Sequence, residues 1–216
     1  GDKNDLAHSY YLKMKQSEEN LVLNLEAYGV LISNAEDLSK AEFYLHEMEK
    51  EGIRPNIVIY TSFINMYASI KDLASAEEMI LEMEDKGVKP SVVSYNAILK
   101  ACFATKNIER SLHWMKEMKI RKISPDIYSY NTLINLCVAI DDVERADFVY
   151  EKAVKESDIF PYVASDEIHG CDIVIDLHGF STNTAKAAVK YELKNSAASG
   201  RKKRLGIVTG KGKSGK

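Results

Sequence analysis

Four prolines set the frame of this chain. Pro55, Pro90 and Pro125 lie 35 residues apart, and Pro161 follows 36 later. A similar run precedes each of the first three: EMEKEGIRP, EMEDKGVKP and EMKIRKISP. Met48, Met83 and Met118 keep the same phase, as do Ala41, Ala76, Ser111 and Ala146. DLSKAE at 37–42 answers DLASAE at 72–77. A fixed period of this length means that one supersecondary unit is repeated and stacked, because each unit alone cannot bury its apolar faces.

Each unit carries two helical patterns. Tyr60, Phe63, Ile64 and Tyr67 recur at i, i+3, i+4 and i+7, which places them on one face of a first helix. Leu73, Ala76, Glu77, Ile80 and Met83 give a second helix with a mainly apolar face. The short Lys71-Asp72 loop joins the two as an antiparallel hairpin. Gly87 suits the left-handed position that ends the second helix, and Pro90 blocks its continuation.

The tetratricopeptide signature of Trp, Leu-Gly and Tyr is absent, and the single tryptophan, Trp114, falls in a second helix. The units instead begin IVIYTSFINMY, VVSYNAILKAC and IYSYNTLINLC. These resemble the pentatricopeptide repeat family. The resemblance implies a mainly α chain, a right-handed solenoid of α-α hairpins with repeats at 21–55, 56–90, 91–125 and 126–161. Residues 1–20, with LAHSYYLKMK, then look like the end of a preceding repeat, and the first full repeat is degenerate at Leu25-Glu26.

Members of this family read single-stranded RNA at about one base per repeat. The resemblance assigns the reading to the fifth residue of a repeat and the residue after its closing proline. The pairs are Glu26 with Asn56, Thr61 with Ser91, Asn96 with Asp126, and Asn131 with Tyr162. An asparagine amide both donates and accepts, so it can match a base edge. Asn96 with Asp126 implies a preference for uracil, and Thr61 with Ser91 a lean toward purine. Glu26 and Tyr162 depart from the pattern. Leu23, Val58, Val93 and Tyr128 stand where the family places side chains that sandwich bases.

Charge divides the chain. Residues 1–161 hold 19 Lys+Arg against 27 Asp+Glu, while residues 162–216 hold 10 against 5. The split predicts two modules, the second with an anionic partner. The acidic excess of the array opposes phosphate binding, which draws much of its affinity from cations. It favours an alternative in which the repeats are a scaffold for other proteins in a large gene-expression complex. Cys102, Cys137 and Cys171 are odd in number and widely spaced, which predicts neither a disulfide framework nor a zinc site. No apolar run reaches a membrane-span length of ~20 residues, and no membrane partner is expected. The start GDKNDLAHSYY carries neither Met nor a signal or transit pattern, and reads as a cut N-terminus.

After Pro161 the period stops. Residues 162–170 read as a linker. Residues 171–180, CDIVIDLHGF, predict a strand. A helix capped by Ser181 or Thr182 should run to about Ala198, with Ala185, Val189 and Leu193 on one face. RLGIVT predicts a second, parallel strand, giving a partial α/β (βαβ) module. The loop TGKGKSGK resembles a nucleotide P-loop, but its spacing fails: position 207 must be glycine and is Ile207.

The order IDLHG, helix, IVTGKG resembles the small MutS-related domain, whose members bind nucleic acid and in some cases cut it. The resemblance carries over to Asp176, His178 and Gly179, and to Thr209, Gly210, Lys211 and Gly212. Asp176 and His178 side by side suit acid–base or metal-assisted phosphodiester cleavage. Their alternative is structural, with Asp176 orienting loop N–H groups. Ser214 stands where many members have histidine, and the chain ends at Lys216 before the family's later elements, so half a domain is expected. Arg201, Lys202, Lys203, Arg204, Lys211 and Lys213 are the candidate phosphate contacts. No cofactor is expected, nor a metal unless the module cleaves. The partner implied is single-stranded RNA, in a chloroplast or mitochondrion; an endoribonuclease guided by the repeats is the further alternative.

Overall fold

The computed structural model describes residues 8–9, 11–15, 23–156, 162–163, 171, 173–198 and 204–208. The chain divides into two compact units, residues 1–105 and 106–216. The first holds α1 (Leu25–Ser33), α2 (Leu38–Lys50), α3 (Ile57–Ser69), α4 (Leu73–Asp85) and α5 (Val92–Ala104). The second holds α6 (Ile108–Ile120), α7 (Ile127–Ala139), α8 (Val143–Glu156), β1 (Tyr162–Val163), β2 (Ile173–Asp176), α9 (Thr182–Ala198) and β3 (Leu205–Val208).

The repeat is written into both ends of its helices. Each N-terminus has a short polar side chain that accepts from an otherwise unpaired N–H. The caps are Asn24, Asp37, Asn56, Asp72, Ser91, Asn107 and Asp126 for α1 to α7, and Asp142 for α8. At the C-termini a residue with positive φ lets the next N–H reach back five positions. Ile53 donates to Met48 at 3.1 Å, Val88 to Met83 at 2.9 Å and Ile123 to Met118 at 2.8 Å. The left-handed residue is glycine in the first two, Gly52 and Gly87, and Lys122 in the third. Within the hairpins Lys71, Lys106 and Asp141 take the same conformation, again 35 residues apart.

In the first unit α3 packs against α4 and α5. Tyr28, Ile32, Tyr44, Met48, Ile59 and Phe63 lie in one buried cluster. Residues 8–9 and 11–15 are helical and extend that packing. His8 Nδ1 is 2.7 Å from the Tyr44 hydroxyl, Tyr11 donates to Glu47 at 3.2 Å, and Lys15 pairs with Glu51. Each of these contacts joins residues 36 apart, about one repeat.

In the second unit α7 packs on α6 and α8, burying Trp114, Met118, Leu133, Ile134, Cys137 and Ala153. Burial and the Asp142 carboxylate push the Cys137 thiol up to about 11, so it acts as a small hydrophobe. The sheet order is β1-β2-β3. β2 and β3 are parallel, with Ile173 opposite Leu205 and Asp176 opposite Val208. β1 pairs antiparallel with β2, Tyr162 opposite Ile175, inside the stretch that reads as a linker. Two residues are too few to show a strand period, and only the open edge of β2 defines them. Gly206 belongs to β3, where an added Cβ would lie 3.0 Å from Cys171 Sγ.

α9 has its expected bounds but is turned from its expected face. It packs on α7 and α8, with Asn183 bonded to Asn135 and Tyr191 set against Tyr150. Its buried residues are Thr184, Ala187, Ala188 and Glu192, while Leu193 is 59% exposed. Of the expected stripe, Ala185 and Val189 are half-buried and Leu193 is exposed, so the buried face is rotated from the one that apolar periodicity marked.

Candidate functional site

The residues singled out in each repeat occupy fixed places on its first helix. Asn56, Ser91 and Asp126 are the N-caps. Asn56 Oδ1 accepts from Val58 and Ile59 N–H at 3.0 and 3.1 Å. Ser91 Oγ accepts from Val93 N–H at 3.2 Å, and Asp126 Oδ1 from Ser129 N–H at 2.9 Å. Two residues on, Val58, Val93 and Tyr128 are 57%, 60% and 51% exposed. Large apolar side chains thus recur bare at one helical position in three repeats. Leu23 differs: it precedes α1 and is buried in the core.

The fifth positions have three different surroundings. Glu26 is exposed on α1. Thr61 is buried, and its hydroxyl shares a hydrogen bond of 2.9 Å with Ser94. Ser94 also accepts from Ser91 N–H at 3.4 Å, so Thr61 and Ser91 meet through Ser94. Asn96 is buried at the start of α5. Asn131, at the same place on α7, is joined to the C-terminal module: its Nδ2 donates to Gly179 O at 2.6 Å, and its Oδ1 accepts from Ser181 N–H at 3.1 Å.

That contact was not read from the sequence. Asn135, one turn further along α7, accepts from Ser181 Oγ and from Asn183 Nδ2, both at 3.0 Å. Phe180 and Tyr191 set their rings edge-on against Tyr150 of α8. Lys190 pairs with Asp147. Burial, with Glu192 nearby, pushes the Tyr150 hydroxyl well above its usual range. Asn135 carries no distinguishing signal, because the repeats before it have Lys100 and Asn65 at the same place.

At the end of β2, Asp176 Oδ1 accepts from His178 N–H at 2.9 Å and also meets His178 Nδ1. These bonds hold the Asp176 carboxyl below the usual carboxylate range. The pair is close and largely open to solvent. Arg204 is exposed. Arg201, Lys202, Lys203, Thr209, Gly210, Lys211, Gly212 and Lys213 lie outside the described residues, as does the side chain of Tyr162. Among the described residues no group of three or more His, Cys, Asp and Glu side chains could hold a metal ion. No helix among them is long and apolar enough to cross a membrane. A cavity of about 510 Å³ opens on the second unit, with Leu133 and Phe148 beside Lys116, Lys119 and Lys152.

Repeated, capped helix hairpins, with the same exposed apolar position in three of the first helices, define a helical repeat protein. The pentatricopeptide repeat domain matches at residues 43–105, 80–140 and 113–165, together more than half of the chain. The chain belongs to the pentatricopeptide repeat family. No curated protein matches its sequence. Among solved structures it is similar to the maize pentatricopeptide repeat protein PPR10, at a TM-score of 0.66 and 18% identity over 89% of this chain and 26% of that one. PPR10 in complex with an 18-nt psaJ RNA element matches at 0.63 and 16%, over 71% of this chain and 23% of that one. The repeat domain of Arabidopsis thaliana protein-only RNase P 1, in complex with tRNA, matches at 0.61 and 14%, over 88% and 92%. This chain therefore spans about a quarter of the length of PPR10.

Proposed function

We propose that this protein binds single-stranded RNA along the first-helix faces of its repeats, at about one base per repeat, in organellar gene expression. The observation that carries this reading is the exposed series Val58, Val93 and Tyr128, each next to a polar cap and a polar fifth residue. An apolar side chain flanked by hydrogen-bonding groups can stack a base and touch its edge. Two of the similar structures were solved with RNA bound. The C-terminal βαβ module, which resembles the small MutS-related domain, adds a basic segment for phosphate contact. A chloroplast or mitochondrion is the location the family resemblance favours.

The test is binding of the full chain to random and uridine-rich single strands at two salt concentrations, with Asn96→Ala beside it. Affinity should fall steeply as salt rises, and Asn96→Ala should relax the uridine preference. Binding without base preference, unaltered by Asn96→Ala, would exclude base reading by the array. A second reading rests on His178 and Asp176, because an imidazole oriented by a carboxylate has the form of a general base. If the module cleaves RNA, His178→Ala and Asp176→Asn should both abolish cleavage while leaving binding intact.

A further inference from the structure

We infer that the 177–181 turn of the C-terminal module is a built-in substitute for a base, seated on Asn131, so that the fourth repeat is closed while the module is docked. This deepens the RNA-reading proposal and rests on it. Gly179 offers a carbonyl oxygen and Ser181 an N–H, and Asn131 takes both. Backbone polarity cannot be reversed, so these partners fix which way the amide points. Uracil and guanine present the same pair on their Watson–Crick edges, a carbonyl oxygen beside a ring N–H. The turn thus satisfies Asn131 with the bonds that a base would supply.

The seat is shaped for this turn. Gly179 has φ +77°, and a Cβ there would lie 3.2 Å from Ile127 Cδ1. Glycine therefore meets both the backbone conformation and the close approach to α7. Asn135 holds Ser181 and Asn183 from the next turn of the same helix. The Tyr150 contacts and the Lys190–Asp147 pair extend the docking onto α8. A base at Asn131 and the docked turn exclude each other. Any RNA that engages the fourth repeat must first release the module, and by linkage a released module should strengthen binding there.

Two readouts on the full chain test this. The first needs no RNA: amide hydrogen exchange at Ser181. Asn131→Ala and the paired change Asn135→Leu with Lys190→Glu should each speed it about tenfold, as loss of roughly 1.4 kcal/mol of docking would. Slow amides within α9 should stay slow, which shows that the module itself remains folded. Unchanged exchange at Ser181 overturns the docking.

The second varies the nucleotide adjacent to the one whose preference Asn96→Ala alters. The intact chain should show no preference there. Asn135→Leu with Lys190→Glu should create one for uridine or guanosine, and adding Asn131→Ala should remove it. A preference already present in the intact chain overturns the closure. If Asn96→Ala alters no preference at any nucleotide, base reading fails and closure falls with it, while the exchange result still decides the docking.

Discussion

α5 and α7 are nearly the same helix. VVSYNAILKACFA and IYSYNTLINLCVA share the tyrosine, the fifth-position asparagine and the buried cysteine. Both open with a capping box, Ser91 with Ser94 and Asp126 with Ser129. Yet Asn96 lies buried, while Asn131 is bonded to a turn 48 to 50 residues away. Equal local sequence gives equal caps and equal bounds. What meets the fifth residue is decided by the element packed over it, and the period does not encode that.

The largest separation between the two helices should appear in their cores. Ile98 and Leu133 occupy the same repeat position and are both buried. Truncating a buried Ile or Leu to Ala costs about 2–5 kcal/mol, more where the site cannot relax. Leu133 borders the 510 Å³ cavity, so part of its surroundings can readjust. Ile98→Ala should fall near the upper end and Leu133→Ala near the lower. Urea unfolding measures both, with fluorescence of the buried Trp114 reporting on the second unit and circular dichroism on the whole chain. Equal costs would mean that the cavity gives Leu133 no relief.

A smaller difference should separate the caps. Asp126 Oδ1 accepts from both the N–H and the hydroxyl of Ser129, and it places a carboxylate at a helix N-terminus. Ser91 offers a neutral hydroxyl. Replacement of a cap by Ala costs about 0.5–2 kcal/mol, and Asp126→Ala should lose more than Ser91→Ala. Thermal unfolding of the two variants decides it; a larger loss at Ser91 would show that the charge adds nothing.

Asn56, Ser91 and Asp126 stand out because a polar residue follows three of the four prolines, but that recurrence was legible as base contact and not as the helix start it also marks. The hairpins and the parallel pairing of β2 with β3 followed from local patterns, although the strand expected over 171–180 is confined to Ile173–Asp176. The buried face of α9 did not, because Thr184, Ala187, Ala188 and Glu192 are small or polar and carry little apolar weight. Nor did the seat of Asn131, whose partners Gly179 and Ser181 contribute only backbone groups, which every residue has. Thr61 shows the same limit, since its bond to Ser94 joins two hydroxyls that look like ordinary polar positions.

The helix ends sharpen the comparison with a change of sign. Gly87 and Lys122 close α4 and α6 with φ of 76° and 58°. A non-glycine residue in that region carries a strain of roughly 1–2 kcal/mol. Lys122→Gly should therefore stabilise the second unit, by about 0.5–1 kcal/mol once the added freedom of the unfolded chain is counted. Gly87→Ala should destabilise the first by about 1 kcal/mol. Urea midpoints that moved in the same direction for both would contradict the shared geometry.

The smallest effect is one of pH, and it separates the second helices α4 and α6. Asp72 caps α4, accepting from Ser75 N–H at 3.1 Å and Ser75 Oγ at 2.7 Å, and these bonds hold its carboxyl below the usual range. Asn107 caps α6 by accepting from Arg110 N–H at 3.0 Å, with no charge to titrate. A carboxyl depressed in the folded state contributes its stability in full above its unfolded value of about 3.9. The contribution fades as pH falls through the folded value, so the sensitive window lies below about pH 4. Asp72→Asn should leave the thermal midpoint nearly unaltered at neutral pH and reduce its fall below about pH 4. Asn107→Asp should add such a fall to α6. Were the acid-side loss the same with and without the Asp72 carboxyl, its bonds to Ser75 would not persist in solution.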